Sequence, residues 1–272
     1  MKVSSYTYLA NPEIDEAGYM TAQYIRKVEE YLKSIVLVGK TAVLYAGGVL
    51  LTASEARNTT DSGELRRRTL NSTLAIKEVA AFSMHKYIGM LKDRDKVAYA
   101  SINGNTCASS MFSLYEAEQL LLSGYDEVII IAEEKTSYNT LRVFNESRID
   151  LKVGEGVAVM HITSGGTDIT ACKWSYEYNR NPFLASSAGY ALIDTPTRYI
   201  NPHGTGTETN EAAEAELVSG REELRYKEDI GHTQGLSGLL EVCMVLDEDI
   251  KGDVLCVSSG LGGFYGSCVV HK

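Results

Sequence analysis

The stretch that decides how this chain is read is Asn105-Thr106-Cys107-Ala108-Ser109-Ser110-Met111. Before it, Lys96-Val97-Ala98-Tyr99-Ala100-Ser101-Ile102 reads as a strand. After it, apolar residues at Met111, Phe112, Leu114, Ala117, Leu120 and Leu121 give a helical pattern that Gly124 stops, and Val128-Ile129-Ile130-Ile131-Ala132 reads as the next buried strand. Cys107 therefore stands where a strand turns into a helix N-terminus. Unpaired N–H groups and the positive end of the helix dipole gather there, and both favour a thiolate. The plain alternative is a buried structural cysteine, the usual fate of a free cysteine.

The remaining composition narrows the class. A chain of 272 residues with 44% hydrophobic content builds one or two domains with a sizeable core. With 24 glycines and 4 prolines it suits a turn-rich α/β protein. A net charge of −10 argues against nucleic acid as the main partner, because phosphate binding needs a basic face. The first residues, Met1 to Tyr6, carry no apolar run of the signal-peptide kind, and the near-apolar run from Ala42 to Ala53 is too short to span a bilayer. The five cysteines (107, 172, 243, 256 and 268) form no CxxC pair and no even framework, so the reading is a reducing cytoplasm.

Strands are expected at Lys2–Leu9, Thr41–Tyr45, Val157–Ile162, Ile169–Trp174, Val254–Ser258 and Ser267–Val270. Helices are expected near 17–32, 72–91, 208–219 and 233–247, with a polar loop over 54–72. No Pro- or Gly-rich linker interrupts the chain, so two fused α/β halves are expected: 1–150, carrying the cysteine, and 151–272, carrying two histidines in unusual settings. One is Pro202-His203-Gly204-Thr205-Gly206-Thr207, between a short strand and a helix. The other is Gly231-His232-Thr233-Gln234-Gly235, with Lys227 five residues before the histidine.

Rival motifs fail on spacing. A dinucleotide loop needs a glycine where Thr209 stands, and Gly260-Leu261-Gly262-Gly263 runs into a strand rather than a helix. Gly235-Leu236-Ser237-Gly238 lacks the second spaced glycine of a hydrolase elbow. One cysteine and two histidines at these separations match no zinc pattern. Together, Cys107, His203 and His232 are the parts of a covalent acyl-transfer site, a nucleophile with two imidazoles.

With these residues in place the chain resembles the elongating β-ketoacyl-[acyl carrier protein] synthases of the thiolase superfamily. Thr106-Cys107-Ala108-Ser109-Ser110 matches the family's A-C-A-S-S, and His203 to Thr207 matches H-G-T-G-T, followed at the family's distance by Glu214-Ala215-Glu216. Lys227, Gly231, His232 and Thr233 match K-x-x-x-G-H-T, with Glu241 at the lysine's usual carboxylate partner. Arg148, Leu151 and Gly154-Glu155-Gly156 match part of R-x-G-F-x-x-G-E-G, and Gly260-Leu261-Gly262-Gly263 resembles the closing G-F-G-G. The chain departs from the family in being shorter, in a loosely matching first hundred residues, and in Leu261 where the gating phenylalanine stands. Phe264-Tyr265 replaces Thr-Asn after the loop, Glu208 replaces a proline and Glu211 an aspartate.

The resemblance implies a thiolase fold: two similar halves, each with a mixed five-stranded sheet, stacked αβαβα. It implies acyl transfer from a carrier protein's phosphopantetheine to Cys107, then decarboxylative condensation with a malonyl thioester, in fatty-acid or polyketide-type biosynthesis. His203 and His232 would be neutral donors to the thioester oxygen. Backbone N–H groups of Cys107 and Leu261 would form the oxyanion hole, Thr205 and Thr207 would hold pantetheine, Leu261 would take the gate position, and Lys227 with Glu241 would order the histidines. The plain reading of that last pair is a helix-surface salt bridge. No metal or bound cofactor is implied. An acyl carrier protein is the implied partner, with Arg66-Arg67-Arg68 a candidate basic patch for it or merely a solvated face. A homodimer or a heterodimer with another ketosynthase-like subunit is implied, the strand before Cys107 pairing across its axis. Two other functions fit the same residues: acyl transfer from Cys107 without condensation, or a non-catalytic partner subunit, although such partners usually lack the nucleophile.

Overall fold

The computed structural model describes residues 1–11, 19–47, 73–134 and 151–272. Arg66 to Arg68, Arg148 and the expected 54–72 loop lie outside them.

Two five-stranded sheets hold the chain together. The first contains β1 (Lys2–Asn11), β2 (Thr41–Gly47), β3 (Val97–Asn103), β4 (Glu127–Glu134) and β5 (Glu155–Thr163) in the order β1-β5-β4-β2-β3. The second contains β6 (Ile169–Tyr176), β7 (Tyr199–Asn201), β8 (Glu222–Glu223), β9 (Val254–Gly260) and β10 (Phe264–Val270) in the order β6-β10-β9-β7-β8. Numbered within its own sheet, each set runs 1-5-4-2-3. The directions repeat too: β5 is antiparallel to β1 and β4, as β10 is to β6 and β9, and the remaining pairs are parallel. The halves are thus copies in topology. β5 lies in the stretch assigned from sequence to the second half, yet it hydrogen-bonds into the first sheet along its whole length, so the sheets change over between Thr163 and Ile169.

The helices are α1 (Tyr19–Ser34), α2 (Thr73–Ile88), α3 (Ser109–Leu122), α4 (Ser187–Ile193), α5 (Glu208–Val218), α6 (Lys227–Ile230) and α7 (Ser237–Asp247). Alternating strand residues show where the main ones lie. Ala42, Leu44, Val128, Ile130, Ala158 and Met160 face one core with Cys256, Cys268 and Val270 of the second sheet, and α3 and α7 supply Met111, Leu114, Leu239 and Val242 to it. The intervening residues Val43, Ile129, Ile131 and Val157 face α1 and α2 instead. Leu255, Val257 and Val269 face α4 and α5. The order is helices, sheet, helices, sheet, helices, which is the expected αβαβα stack.

Both central helices are covered on two sides, and this explains their composition. Ser109, Ser110, Ser113 and Ala117 are small enough to let α3 approach its neighbours. A side chain on Gly238 would lie 3.1 Å from the Met111 nitrogen. The Ser110 hydroxyl ties the helices together, donating to the Leu236 carbonyl at 3.1 Å and accepting from the Leu239 N–H at 3.0 Å. Among the described residues no helix is long and apolar enough to cross a membrane.

Candidate active site

β3 ends at Asn103, and a single 3-10 turn, Thr106–Ala108, swings the chain into α3. Thr106 holds φ at 53°, a conformation costly for a β-branched residue. The Ser109 hydroxyl donates to the Thr106 carbonyl at 2.6 Å and the Ala108 N–H to the Asn105 carbonyl at 3.2 Å, which fixes the turn. The second half repeats it. Gln234 holds φ at 47°, the 3-10 turn is Gln234–Leu236, and α7 follows. Gly235 then occupies the place that Cys107 takes in the first turn.

The closing loop lies against the nucleophile turn. A side chain on Gly260 would stand 2.6 Å from the Asn105 carbonyl oxygen, so only glycine fits. Thr106 Oγ1 donates to the Leu261 carbonyl at 3.3 Å. Leu261 itself is 43% exposed, half open to solvent at the rim.

His232 is placed by a short parallel bridge. Its N–H donates to the Lys152 carbonyl at 2.7 Å, and its carbonyl accepts from the Gly154 N–H at 3.2 Å. Gly231 takes φ 75° and ψ 174°, a region open only to glycine, with its α-carbon pressed on the 153–154 backbone. A side chain on Gly154 would in turn strike the Ile230 carbonyl. These glycines account for parts of two sequence motifs. The result is His232 Nε2 at 3.2 Å from Cys107 Sγ, with Nδ1 at 3.4 Å from Ser237 Oγ.

His203 follows β7, and its ring meets that of His232 edge-on, with centroids 5.2 Å apart and planes at 89°. Its backbone N–H and that of Gly204 donate to the two oxygens of Glu214, at 2.6 and 2.9 Å. The Thr205 and Thr207 hydroxyls lie 3.0 Å apart, half-buried, in a turn whose glycines, Gly204 and Gly206, both have positive φ. Lys227 and Glu241 form a buried ion pair, and Asn201 donates to the other Glu241 oxygen at 2.7 Å. The surface reading of that pair is therefore replaced. Both groups are buried, the Lys227 charge acts on both imidazoles, and removing one partner would leave an uncompensated buried charge.

Electrostatics follow from this burial. Desolvation, reinforced by the Lys227 ammonium, lowers the His232 imidazole to about 3. Desolvation, then Lys227 and His232, hold His203 well below its ordinary range. Both rings are neutral at physiological pH. Burial, and then the Glu134 carboxylate, push the Cys107 thiol up to about 12 against the opposing pull of Lys227. This runs against the expectation of a thiolate: although Cys107 is partly open to solvent, desolvation around the turn outweighs the helix N-terminus and favours a thiol beside a neutral imidazole. Burial raises Glu214 to about 7, against the N–H groups of Gly204 and His203. Glu134 was not singled out from sequence, although the carboxylates Glu133-Glu134 at the end of an otherwise apolar buried strand were a visible signal.

No family model matches the sequence, and no curated protein does. Solved structures do match. A ketosynthase from module 6 of the bacillaene synthase of Bacillus subtilis 168 superposes with a TM-score of 0.67 at 13% identity, over 97% of this chain and 62% of that one. A β-ketoacyl synthase from Burkholderia phymatum STM815 gives 0.66 at 15% identity, over 96% and 86%. The ketosynthase ApeO of Xenorhabdus doucetiae, in complex with its chain length factor ApeC, gives 0.61 at 14%, over 93% and 80%. The chain spans about three fifths of the bacillaene ketosynthase. It has the α/β thiolase-like fold of the ketosynthases.

Proposed function

We propose that the protein is a β-ketoacyl synthase-like acyltransferase acting on carrier-bound thioesters, with Cys107 as nucleophile. The observation that carries this reading is the contact of Cys107 Sγ with His232 Nε2 at 3.2 Å, with His203 edge-on behind it.

In the loading step Sγ bonds to the acyl carbonyl carbon as its proton passes to His232 Nε2. The oxyanion meets the N–H groups of Cys107 and Leu261. Its collapse expels the pantetheine thiolate, which takes that proton, and leaves the acyl group on Cys107. A malonyl thioester then loses carbon dioxide, and the electron pair of the broken C–C bond becomes an enolate. Nε2–H groups stabilise its oxygen, from His203 and from His232 once it has exchanged its Nδ1–H for an Nε2–H with solvent between the steps, each worth roughly 3–4 kcal/mol. The enolate carbon attacks the acyl carbonyl, and Cys107 departs as thiolate and recovers a proton from solvent. The Ser237 hydroxyl suits both steps, since it can accept from Nδ1–H during loading and donate to Nδ1 during condensation.

Thr205 and Thr207 are placed to hold pantetheine, and Leu261 takes the gate position. The partner is an acyl carrier protein. β3 lies at the edge of its sheet with Tyr99 and Ile102 each 37% exposed, which supports a dimer with a second copy or a ketosynthase-like subunit. The test is mass spectrometry after incubation with an acyl-loaded carrier. An acyl increment on the Cys107 peptide, absent in Cys107→Ala, is expected. Acylation at Cys172, Cys243, Cys256 or Cys268 would refute the assignment.

A further inference from the structure

Tyr265, one of the two residues that replace the resembled family's Thr-Asn after the closing loop, is buried and packs edge-on against Tyr190 of α4, ring centroids 5.2 Å apart. Its hydroxyl accepts from the Ser186 N–H at 2.9 Å, just before α4, and a side chain at Gly189 would strike its ring. α4 is therefore seated on β10 by close contact. That seating carries the buried Tyr190 hydroxyl between two parts of the candidate site. It lies 2.8 Å from Asn210 Oδ1 on α5 and 2.8 Å from Ser259 Oγ on β9.

With Glu214 ionised, the hydrogen-bond directions follow from its acceptor-only carboxylate. Glu214 accepts from the backbone N–H groups of His203 and Gly204 and from Asn210 Nδ2. Asn210 thus presents Oδ1 to Tyr190, whose O–H must donate to it, and the Tyr190 oxygen is left to accept from Ser259 O–H. One polar chain runs Ser259, Tyr190, Asn210, Glu214, His203. Ser259 lies two residues before Leu261, so the chain joins the shoulder bearing the proposed oxyanion donor to the loop bearing His203. Asn210 and Glu214 lie on α5, directly after the His203 loop, and Tyr190 of α4 is the link that carries the chain from them to Ser259.

We propose that Tyr190 is a positioning residue for condensation: its hydroxyl sets the His203 loop and the closing loop at a fixed separation, so that one thioester oxygen and one acyl carbonyl are held at the same time. This rests on the reading of Cys107, His203 and His232 given above. A positioning role of this kind acts in the step that needs both loops at once, more than in loading, which needs Cys107, His232 and the closing loop.

The experiment uses Tyr190→Phe, which keeps the ring against Tyr265 and removes the hydroxyl. Rates are expressed per mole of Cys107 able to take an acyl group, so that misfolded protein does not count. Acyl loading should stay within about threefold of the parent. Carbon dioxide release from a malonyl-loaded carrier should fall about tenfold in kcat at unchanged KM, a change in positioning rather than in binding. Ser259→Ala should move the same rate in the same direction, and the double variant should be no slower than the slower single one. If Tyr190→Phe fails to fold, Ser259→Ala carries the test alone. An activity-independent readout is the imidazole signal of His203 in histidine-labelled protein, identified by its loss in His203→Ala. It should shift in Tyr190→Phe and not in Tyr31→Phe. An unchanged kcat per active Cys107, or an unmoved His203 signal, overturns the proposal. If the parent releases no carbon dioxide while the His203 signal still shifts, the coupling stands and the condensing function falls.

Discussion

Gly231→Ala tests how His232 is positioned. Gly231 holds φ 75° and ψ 174°, so an alanine there carries about 1–3 kcal/mol of backbone strain. Its methyl would also lie 2.7 Å from the Gly154 nitrogen and 2.8 Å from the Val153 carbonyl carbon. Ordinary contact begins at 3.4 Å, so the 153–154 segment and residue 231 must part by about 0.7 Å. That segment holds His232 through both backbone hydrogen bonds, and the histidine must follow. Starting from 3.2 Å, such a shift takes Nε2 to about 3.9 Å from Sγ, the outer edge of hydrogen-bond reach for sulfur. A misplacement approaching 1 Å costs up to a hundredfold, so loading of Cys107 should slow ten- to a hundredfold, about 1.4–2.7 kcal/mol of barrier. The assay is rapid-quench acylation with urea unfolding measured alongside. Gly220→Ala is the control: its φ of 76° also strains an alanine, but nothing lies within 4 Å. It should lower stability and leave loading intact. Equal loading by Gly231→Ala and the parent would refute the positioning argument; equal slowing in both variants would reduce it to general destabilisation.

Three further outcomes are expected. His232→Ala should lose loading and condensation together, because a thiol held near 12 needs its neighbour as proton acceptor, whereas His203→Ala should still load and lose carbon–carbon bond formation by about two orders of magnitude, as single-turnover mass spectrometry would show. Leu261→Phe should slow loading of long or rigid acyl chains more than acetyl loading; equal slowing along a chain-length series would show that Leu261 is not a gate. Glu214, raised from an ordinary 4.5 to about 7, binds its proton more tightly folded than unfolded, so its stabilising contribution is complete below pH 4.5 and is lost as pH rises through 7. The stability difference between the parent and Glu214→Gln should therefore change by about 3 kcal/mol across that window in urea unfolding, and a flat difference would refute it.

Much of the fold was legible because buried strands announce themselves. Val128 to Ala132 read as a strand buried on both faces, and β4 extends that run only into the carboxylates Glu127, Glu133 and Glu134. Gly124 was read as a helix stop, and it holds φ at 89° just past the end of α3. The short elements α4 and α6 were missed, since seven and four residues are too few to show a period. The placement of β5 was not legible either, because sheet membership depends on long-range pairing that no local pattern records. At the site, Cys107, His203, His232, Lys227 and Glu241 were named from motifs and lie together in the structure. The histidines were read as neutral, in keeping with their lowered values, but the state of the cysteine was not readable: the burial that favours the Cys107 thiol is supplied by parts of the chain remote in sequence. Asn201, Asn210, Tyr190 and Ser237 carry no motif of their own and became visible only through the hydrogen bonds they make.

In the proposed reaction Cys107 and the two histidines form a carbon–carbon bond by decarboxylation. The most direct measurement follows carbon dioxide and β-ketoacyl product together, from a malonyl-loaded carrier added to protein already acylated at Cys107. One carbon dioxide and one β-ketoacyl thioester per acyl group consumed are expected, with both lost in His203→Ala. Acyl-enzyme that discharges to water or to another thiol, with no carbon dioxide from any malonyl carrier, alone or with a partner subunit, would contradict it.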